Sequence, residues 1–226
     1  MSGRHYTAKG YCDEVDIENF LLTDIDNTFS AQIEDWIATS EAEIDKYLGY
    51  TSSTGLLSEV ITNESAYGKV DNEGNLVVYT KKQPITAISA VSLYKGTSSI
   101  ALTLTDSSGN AKYNISPTSE YVLFPSEELS LSGTSLITSY YELKGTKFFI
   151  HVSYTGGYAT VPADIRMATV NLVADKIMRQ TNKEGLASIS QGRVSKRWLD
   201  RQDGESDFVK DAYKLLRPHR MTTRWF

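Results

Sequence analysis

The chain has 226 residues, 40% hydrophobic and 23% charged, with a formal net charge of -5, a composition that supports a folded core and excludes wholesale disorder. No apolar run approaches the roughly 18 residues of a membrane span, and the opening MSGRHYTAKGYCDEVD lacks the apolar stretch of a secretory signal, so the expectation is synthesis in the cytoplasm and no membrane partner. One cysteine, Cys12, excludes an internal disulfide, and with three scattered histidines it predicts neither a metal site nor a bound cofactor.

The net charge conceals an asymmetry. Residues 1–175 carry 11 basic against 22 acidic side chains, and residues 176–226 carry 12 against 6, which together restore -5. A cationic segment on an acidic body points to a terminal arm that seeks an anionic surface, or more blandly to a solvated basic helix.

Along the chain, two helical patterns come first. DEVDIENFLL has Asp13 placed to cap and Val15, Ile17, Phe20 and Leu21 placed to bury. In the second, Phe29, Ile33, Trp36, Ile37, Ile44, Tyr47 and Leu48 recur at three-and-four spacing opposite Glu34, Asp35, Glu41, Glu43 and Asp45, and Gly49 closes the helix. From Leu56 to about Gly156 the chain turns to short runs rich in Val, Ile, Thr, Ser and Tyr. NLVVYT, ISAVSLYK, IALTLT, KYNIS, EYVLFP, LITSYYEL and KFFIHVSY read as strands, with DNEG, DSSGN and LKGT as turns. Seven short strands predict a small closed barrel or sandwich. The fold class is therefore α+β: a helical bundle core built from residues 1–55 and 157–226, with an antiparallel β domain inserted at 56–156.

The junction VSYTGGYATVPADIRMATVNLVADKIMRQT carries the most local information. Tyr154 ends a strand, Gly156 and Gly157 permit angles that a side chain forbids, Pro162 fits the first turn of a helix, and Asp164 suits its positive end. In that helix Ala163, Met167, Val170, Ala174, Ile177 and Met178 form a wide apolar face, and Ile165, Ala168 and Leu172 form a narrower stripe roughly opposite. Such a helix is buried on both sides within its own fold or uses the second stripe to pack on a neighbouring subunit.

Residues 182–198, NKEGLASISQGRVSKRW, read as a basic loop, with Arg193, Lys196, Arg197 and the following Arg201 placed to contact phosphates or a partner. ESDFVKDAYKLL resumes a helix that Pro218 stops, and Arg217, His219, Arg220, Arg224, Trp225 and Phe226 make a basic, aromatic arm of the type found at binding hot spots.

The sequence carries no recognisable catalytic pattern. SYTGGYAT has no Lys-Ser/Thr ending for a phosphate loop, and the carboxylates from Asp24 have Phe29 where a calcium loop requires glycine. Glu127 and Glu128 are adjacent, which on a strand sends them to opposite faces. His5, His151 and His219 lie in three regions without a nucleophile motif. The expectation is a protein that is not an enzyme.

Three segments resemble the head-to-tail connector, or adaptor, proteins of tailed bacteriophages. They are the helix pair YCDEVDIENFL…SAQIEDWIATSEAEIDKYLG, the stretch KKQPITAISAVSLYKG, and the junction FFIHVSYTGGYATVPADIRMATVNLVADKI, where the order of tyrosine, glycines, proline, aspartate and helix is the most specific. The resemblance spans about half of the chain and leaves residues 96–147 unmatched. It implies a structural virion protein at the head-tail junction, made in the host bacterial cytoplasm, that forms a ring, typically a dodecamer, under the portal protein and extends the channel for packaged DNA toward tail, stopper or neck proteins. It also implies that the C-terminal arm docks on the portal.

Two other readings stay open. The basic segment from Lys176 could bind DNA through its phosphates. Alternatively, Tyr94, Tyr113, Tyr121, Tyr140 and Tyr141 could form a stacking platform for carbohydrate, although alternation favours core or edge positions for most of them.

Overall fold

The computed structural model describes residues 7–22, 30–95, 98–125, 147–181, 188–191, 194–197 and 206–220. In chain order the elements are α1 (Glu14–Leu21), α2 (Ser30–Leu48), β1 (Glu59–Val70), β2 (Leu76–Tyr79), β3 (Ile85–Lys95), β4 (Ser98–Ala101), β5 (Asn114–Ile115), β6 (Tyr121–Phe124), β7 (Lys147–Gly156), α3 (Ala163–Thr181), β8 (Ser188–Gln191), β9 (Val194–Arg197) and α4 (Asp207–Leu216), followed by a 3₁₀ turn at Arg217–His219. The chain divides into two compact units, Met1–Gly55 with Val161–Phe226, and Leu56–Thr160.

In the first unit α1 starts where the sequence places a cap. Asp13 accepts from the Asp16 backbone N–H while the Asp16 carboxylate accepts from the Asp13 N–H, so two orphan donors are satisfied reciprocally. On α2 the residues Ile33, Ile37, Ile44 and Leu48 are buried at the expected helical spacing. Ile17, Ile33, Ile37, Val170 and Val173 join Cys12 in one apolar cluster, edged by Phe20, Leu21, Trp36 and Ile177. Full burial of each such aliphatic side chain stabilises by about 1.5–3 kcal/mol.

Helix α3 packs against α1, α2 and α4, and every residue from Ala168 to Asp175 is buried. The narrow stripe assigned above to subunit packing is therefore corrected. Ile165, Ala168 and Leu172 are all buried in a single copy, whereas Met167 on the wide face is 45% exposed. Three polar side chains on this helix are bonded internally: Thr169 Oγ1 donates to the Ile165 carbonyl at 2.8 Å, Asp175 accepts from Ser206 Oγ at 2.5 Å, and Lys176 Nζ donates to Ser40 Oγ at 2.7 Å.

Residues 182–198 do not form the continuous loop that their composition suggested. β8 and β9 pair as an antiparallel hairpin, with Ser188 opposite Arg197 and Gln191 opposite Val194. Its strands are four residues each, so neither shows enough alternation to be read from sequence.

The second unit is a seven-stranded antiparallel sheet in the order β4-β3-β7-β1-β2-β6-β5. The expected closed barrel or sandwich gives way to one open sheet among the described residues. Its inner-face residues, from Leu93 and Val91 on β3 through Ile150 and Val152 on β7 to Val122 and Phe124 on β6, share a single core cluster, which requires the sheet to curl over itself. β1 was not among the strands read from sequence. Asn63, Glu64, Ser65 and Gly68 dilute its alternation, and a bulge between Ile61 and Glu64, with Asn63 at φ +53°, interrupts its register. IALTLT contributes only the end of β4 and a bridge at Thr105, while LITSYYEL lies outside the described residues.

β1 and β7 are central partners although they are the first and last strands of the unit. Ser58 N–H donates to the Tyr158 carbonyl and Tyr158 N–H to the Leu56 carbonyl, each at 2.9 Å, so the chain enters and leaves this unit at adjacent points.

Candidate docking surfaces

The strand-to-helix junction is a structural device. Tyr154 is fully buried in β7; its hydroxyl donates to Glu64 Oε2 at 3.0 Å and accepts the Lys82 N–H at 3.0 Å. Burial, then the adjacent Glu64 carboxylate, pushes the phenol well above its ordinary value. The two glycines serve different ends. Gly157 has φ +103°, and a Cβ there would stand 2.6 Å from the Leu57 carbonyl oxygen. Gly156 needs no unusual φ; a Cβ there would meet the Lys82 carbonyl oxygen and the Tyr154 ring, both at 2.7 Å. Pro162 stands just before α3, and its carbonyl accepts the Arg166 N–H at 3.0 Å, the first bond of the helix.

The root of the C-terminal arm is tied to the first unit. Ser206 caps α4, Ala212 and Leu216 are buried, and Tyr213 donates its hydroxyl to Glu43 at 2.8 Å while its ring lies 4.8 Å from that of Tyr47. Pro218 sits in the 3₁₀ turn that follows, where it needs no N–H. Beyond it, His219 Nε2 lies 2.9 Å from Asp164 Oδ2, and the Arg220 guanidinium lies 5.5 Å from the Tyr47 ring centre. The His219 contact holds the Asp164 carboxyl below the usual carboxylate range. Asp164 thus does more than meet a helix dipole. Of the arm residues, Arg217 is exposed, while His219 and Arg220 are engaged by their own chain. Arg224, Trp225 and Phe226 lie outside the described residues, as do Arg193, Arg201, Tyr140 and Tyr141. Lys196 and Arg197 are on β9.

The segment before α1 is held by two buried carboxylates of α2. Glu41 accepts from the backbone N–H groups of Lys9 and of Tyr11, the latter at 2.7 Å, and Asp45 accepts from the Tyr11 hydroxyl at 2.5 Å and pairs with Lys9 Nζ. Burial raises the Glu41 carboxyl above its ordinary value, against the pull of those N–H groups. A cavity of about 300 Å3 opens beside Lys9, Ala38, Ala42, Asp45 and Tyr50. Composition gave no sign of this network, because Glu41 and Asp45 lie on the polar side of an otherwise regular amphipathic pattern.

The outer face of the sheet was also missed. Tyr67, Phe149 and Tyr94 are register partners on β1, β7 and β3, and Tyr79 pairs with Tyr121 on β2 and β6. One step beyond the Gly68–Val78 pair, Tyr79 falls in line with Tyr67, so five strands in succession each place an aromatic residue in one row. Ring centres are 6.1 Å apart for Tyr67–Phe149, 6.1 Å for Phe149–Tyr94 and 5.6 Å for Tyr79–Tyr121, and the His151 ring lies 4.6 Å from Tyr94. Of the tyrosines named from sequence, Tyr94 and Tyr121 belong to this row, whereas Tyr113 packs against the core beside Phe124.

Among the described residues no helix is long and apolar enough to cross a membrane, and no cluster of three His, Cys, Asp or Glu side chains could hold a metal ion.

No protein-family model matches the chain, and no curated protein matches it. Among solved structures it is similar to a chain in the neck of an empty gene transfer agent (GTA) particle computed with C6 symmetry, with 12% identity, 96% of this chain and 92% of that chain covered, and a TM-score of 0.47. It is also similar to a chain in the virion of a native gene transfer agent particle, with 14% identity, 95% and 91% coverage, and a TM-score of 0.44.

Proposed function

We propose that this chain is a non-enzymatic structural protein of a phage-like virion neck, a ring-forming adaptor that joins the portal to tail, stopper or neck proteins around the DNA channel. The sequence resemblance at the YTGGY…VPADI junction motivates this reading. The observation that carries it is the arm: α4 and its 3₁₀ turn are fastened to the first unit by Tyr213–Glu43, His219–Asp164 and Arg220–Tyr47. A fixed root of this kind presents the following residues, with Arg224, Trp225 and Phe226, toward a partner at low entropic cost. In this reading the portal is that partner, neighbouring copies complete the ring, and the acidic body limits adhesion to passing DNA because carboxylates repel phosphates.

The test is truncation after Arg220, which spares the root. The shortened protein is expected to fold as the full chain does and to lose attachment to portal-bearing capsids. Attachment at the full-length level would overturn the assignment of the arm.

A further inference from the structure

Two of the contacts that fasten the root of the C-terminal arm differ in one property. Arg220 over Tyr47 is the contact of a permanent cation, because a guanidinium keeps its charge at any pH at which the protein is folded. His219 on Asp164 is not. The 2.9 Å contact from Nε2 to Oδ2 is an ion pair only while the imidazole carries its second proton. Histidine is the side chain that changes charge between about pH 5 and 8.

The groups around His219 decide which way that change acts. Its own turn and the last turn of α4 are cationic, with Lys214, Arg217 and Arg220. From α2 come Tyr47, which lies under Arg220, and Glu43, which accepts from Tyr213. From α3 come Arg166, whose guanidinium is on Asp16, and Asp164. Asp164 is the carboxylate bonded to His219, and it stands in the first turn of α3, where the positive helix end alone would disfavour a charged imidazole. The two side chains are 17% and 49% exposed, so solvent screens the pair only in part.

We propose that His219 and Asp164 form a pH-dependent clasp, closed while His219 is protonated, that sets how firmly the turn at Arg217–His219 is anchored to the start of α3. The clasp works between two edges. Asp164 is held below its usual range by the His219 contact, so its contribution is present above the unfolded carboxylate value of about 3.9 and is lost as pH falls through the folded one. At the upper edge the charge is lost as His219 gives up its proton. A neutral N–H donor then remains on the carboxylate, and Arg220 remains on Tyr47, so the turn loosens without coming free. The clasp is a property of the isolated chain and goes beyond the adaptor reading: it holds whatever the arm meets.

Amide hydrogen exchange of the full chain, read by mass spectrometry on peptides covering residues 207–220 and corrected for the intrinsic pH dependence of exchange, tests it. From about pH 5.5 to about pH 8, protection in wild type is expected to fall about two- to fivefold, the range of a partly exposed ion pair. His219→Gln and Asp164→Asn are expected to show level profiles. Arg220→Gln is expected to lower protection at both ends and keep the wild-type slope. Asp164 and Arg220 are exposed and His219 is half-buried, so each variant should keep the wild-type far-UV circular dichroism. A level profile in wild type overturns the clasp without recourse to any variant. The wild-type slope retained in Asp164→Asn overturns it too, because another group would then be titrating against the turn. Attachment to portal-bearing capsids is read separately, by the truncation after Arg220.

Discussion

The Tyr154 hydroxyl joins the last strand of the β unit to the bulge of the first by donating to Glu64 Oε2 at 3.0 Å. The same oxygen accepts the buried Lys82 N–H, so Tyr154→Phe strands a donor as well as deleting a bond. The expected loss is about 1–2 kcal/mol, read as a fall in Tm of roughly 2–8 °C. The folded phenol titrates above its unfolded value of about 10 because burial and Glu64 disfavour the phenolate. A raised value means that the stabilisation is complete below the unfolded value and is lost as pH rises through the folded one. The gap between wild type and Tyr154→Phe in urea denaturation should hold from pH 7 to 9 and narrow above about pH 10. A gap that is absent at pH 7 refutes the role assigned to this hydroxyl.

Two glycines with similar φ separate strain from crowding. At Gly109, φ is +83° and a Cβ would meet nothing within 4 Å; at Gly157, φ is +103° and the Leu57 carbonyl stands in the way. Gly109→Ala should cost about 1 kcal/mol, the strain alone. Gly157→Ala should exceed it by at least about 1 kcal/mol, because backbone must move as well. Equal midpoints for the two variants would show that the carbonyl yields freely.

Glu41 should matter out of proportion to its place on a polar helix face. Glu41→Ala leaves the N–H groups of Lys9 and Tyr11 without their acceptor, at an expected cost of about 2–3 kcal/mol, and limited proteolysis should then cut the segment before α1 first. The carboxyl is raised by burial, so its contribution is present below the unfolded value of about 4.3 and declines as pH rises through the folded one. Relative to wild type, Glu41→Gln should therefore gain stability between pH 4 and pH 7. A constant difference across that range would contradict the burial of a charged group here.

The single thiol is a reporter for the first unit. Burial, with Glu41, Asp16 and Asp13 nearby, pushes Cys12 up to about 12, and the side chain is covered. Native protein at pH 8 should alkylate about a thousandfold more slowly than a free cysteine, and denaturant should release the block. Rapid labelling of the native protein would show that this core opens locally.

Local chemistry was legible wherever a few neighbouring residues decide the outcome. Asp13 as a cap, Gly49 at the end of α2, and the Asp-x-x-Gly-Asn turns at 71–75 and 106–110 all form as their residue types dictate. In both turns the Asp side chain accepts from backbone N–H groups two and four residues on and from the Asn amide, a closed ring of bonds that needs no help from the rest of the fold. The β8–β9 hairpin and β1 escaped because short or interrupted strands carry too little period to register.

Residue order alone sets local preferences: which stretches coil, extend or turn, and which faces are apolar. Whether an apolar face meets its own chain or another was settled by packing alone, because periodicity records that a stripe is greasy and not what covers it. Ile165, Ala168 and Leu172 look unpartnered along the helix and are enclosed in space, while Tyr67, Phe149 and Tyr94, far apart in sequence and ordinary where they stand, become one row, exposed at Tyr67 and Phe149, once three strands are brought into register. Register is a relation between distant segments, set by where the whole sheet buries its other face.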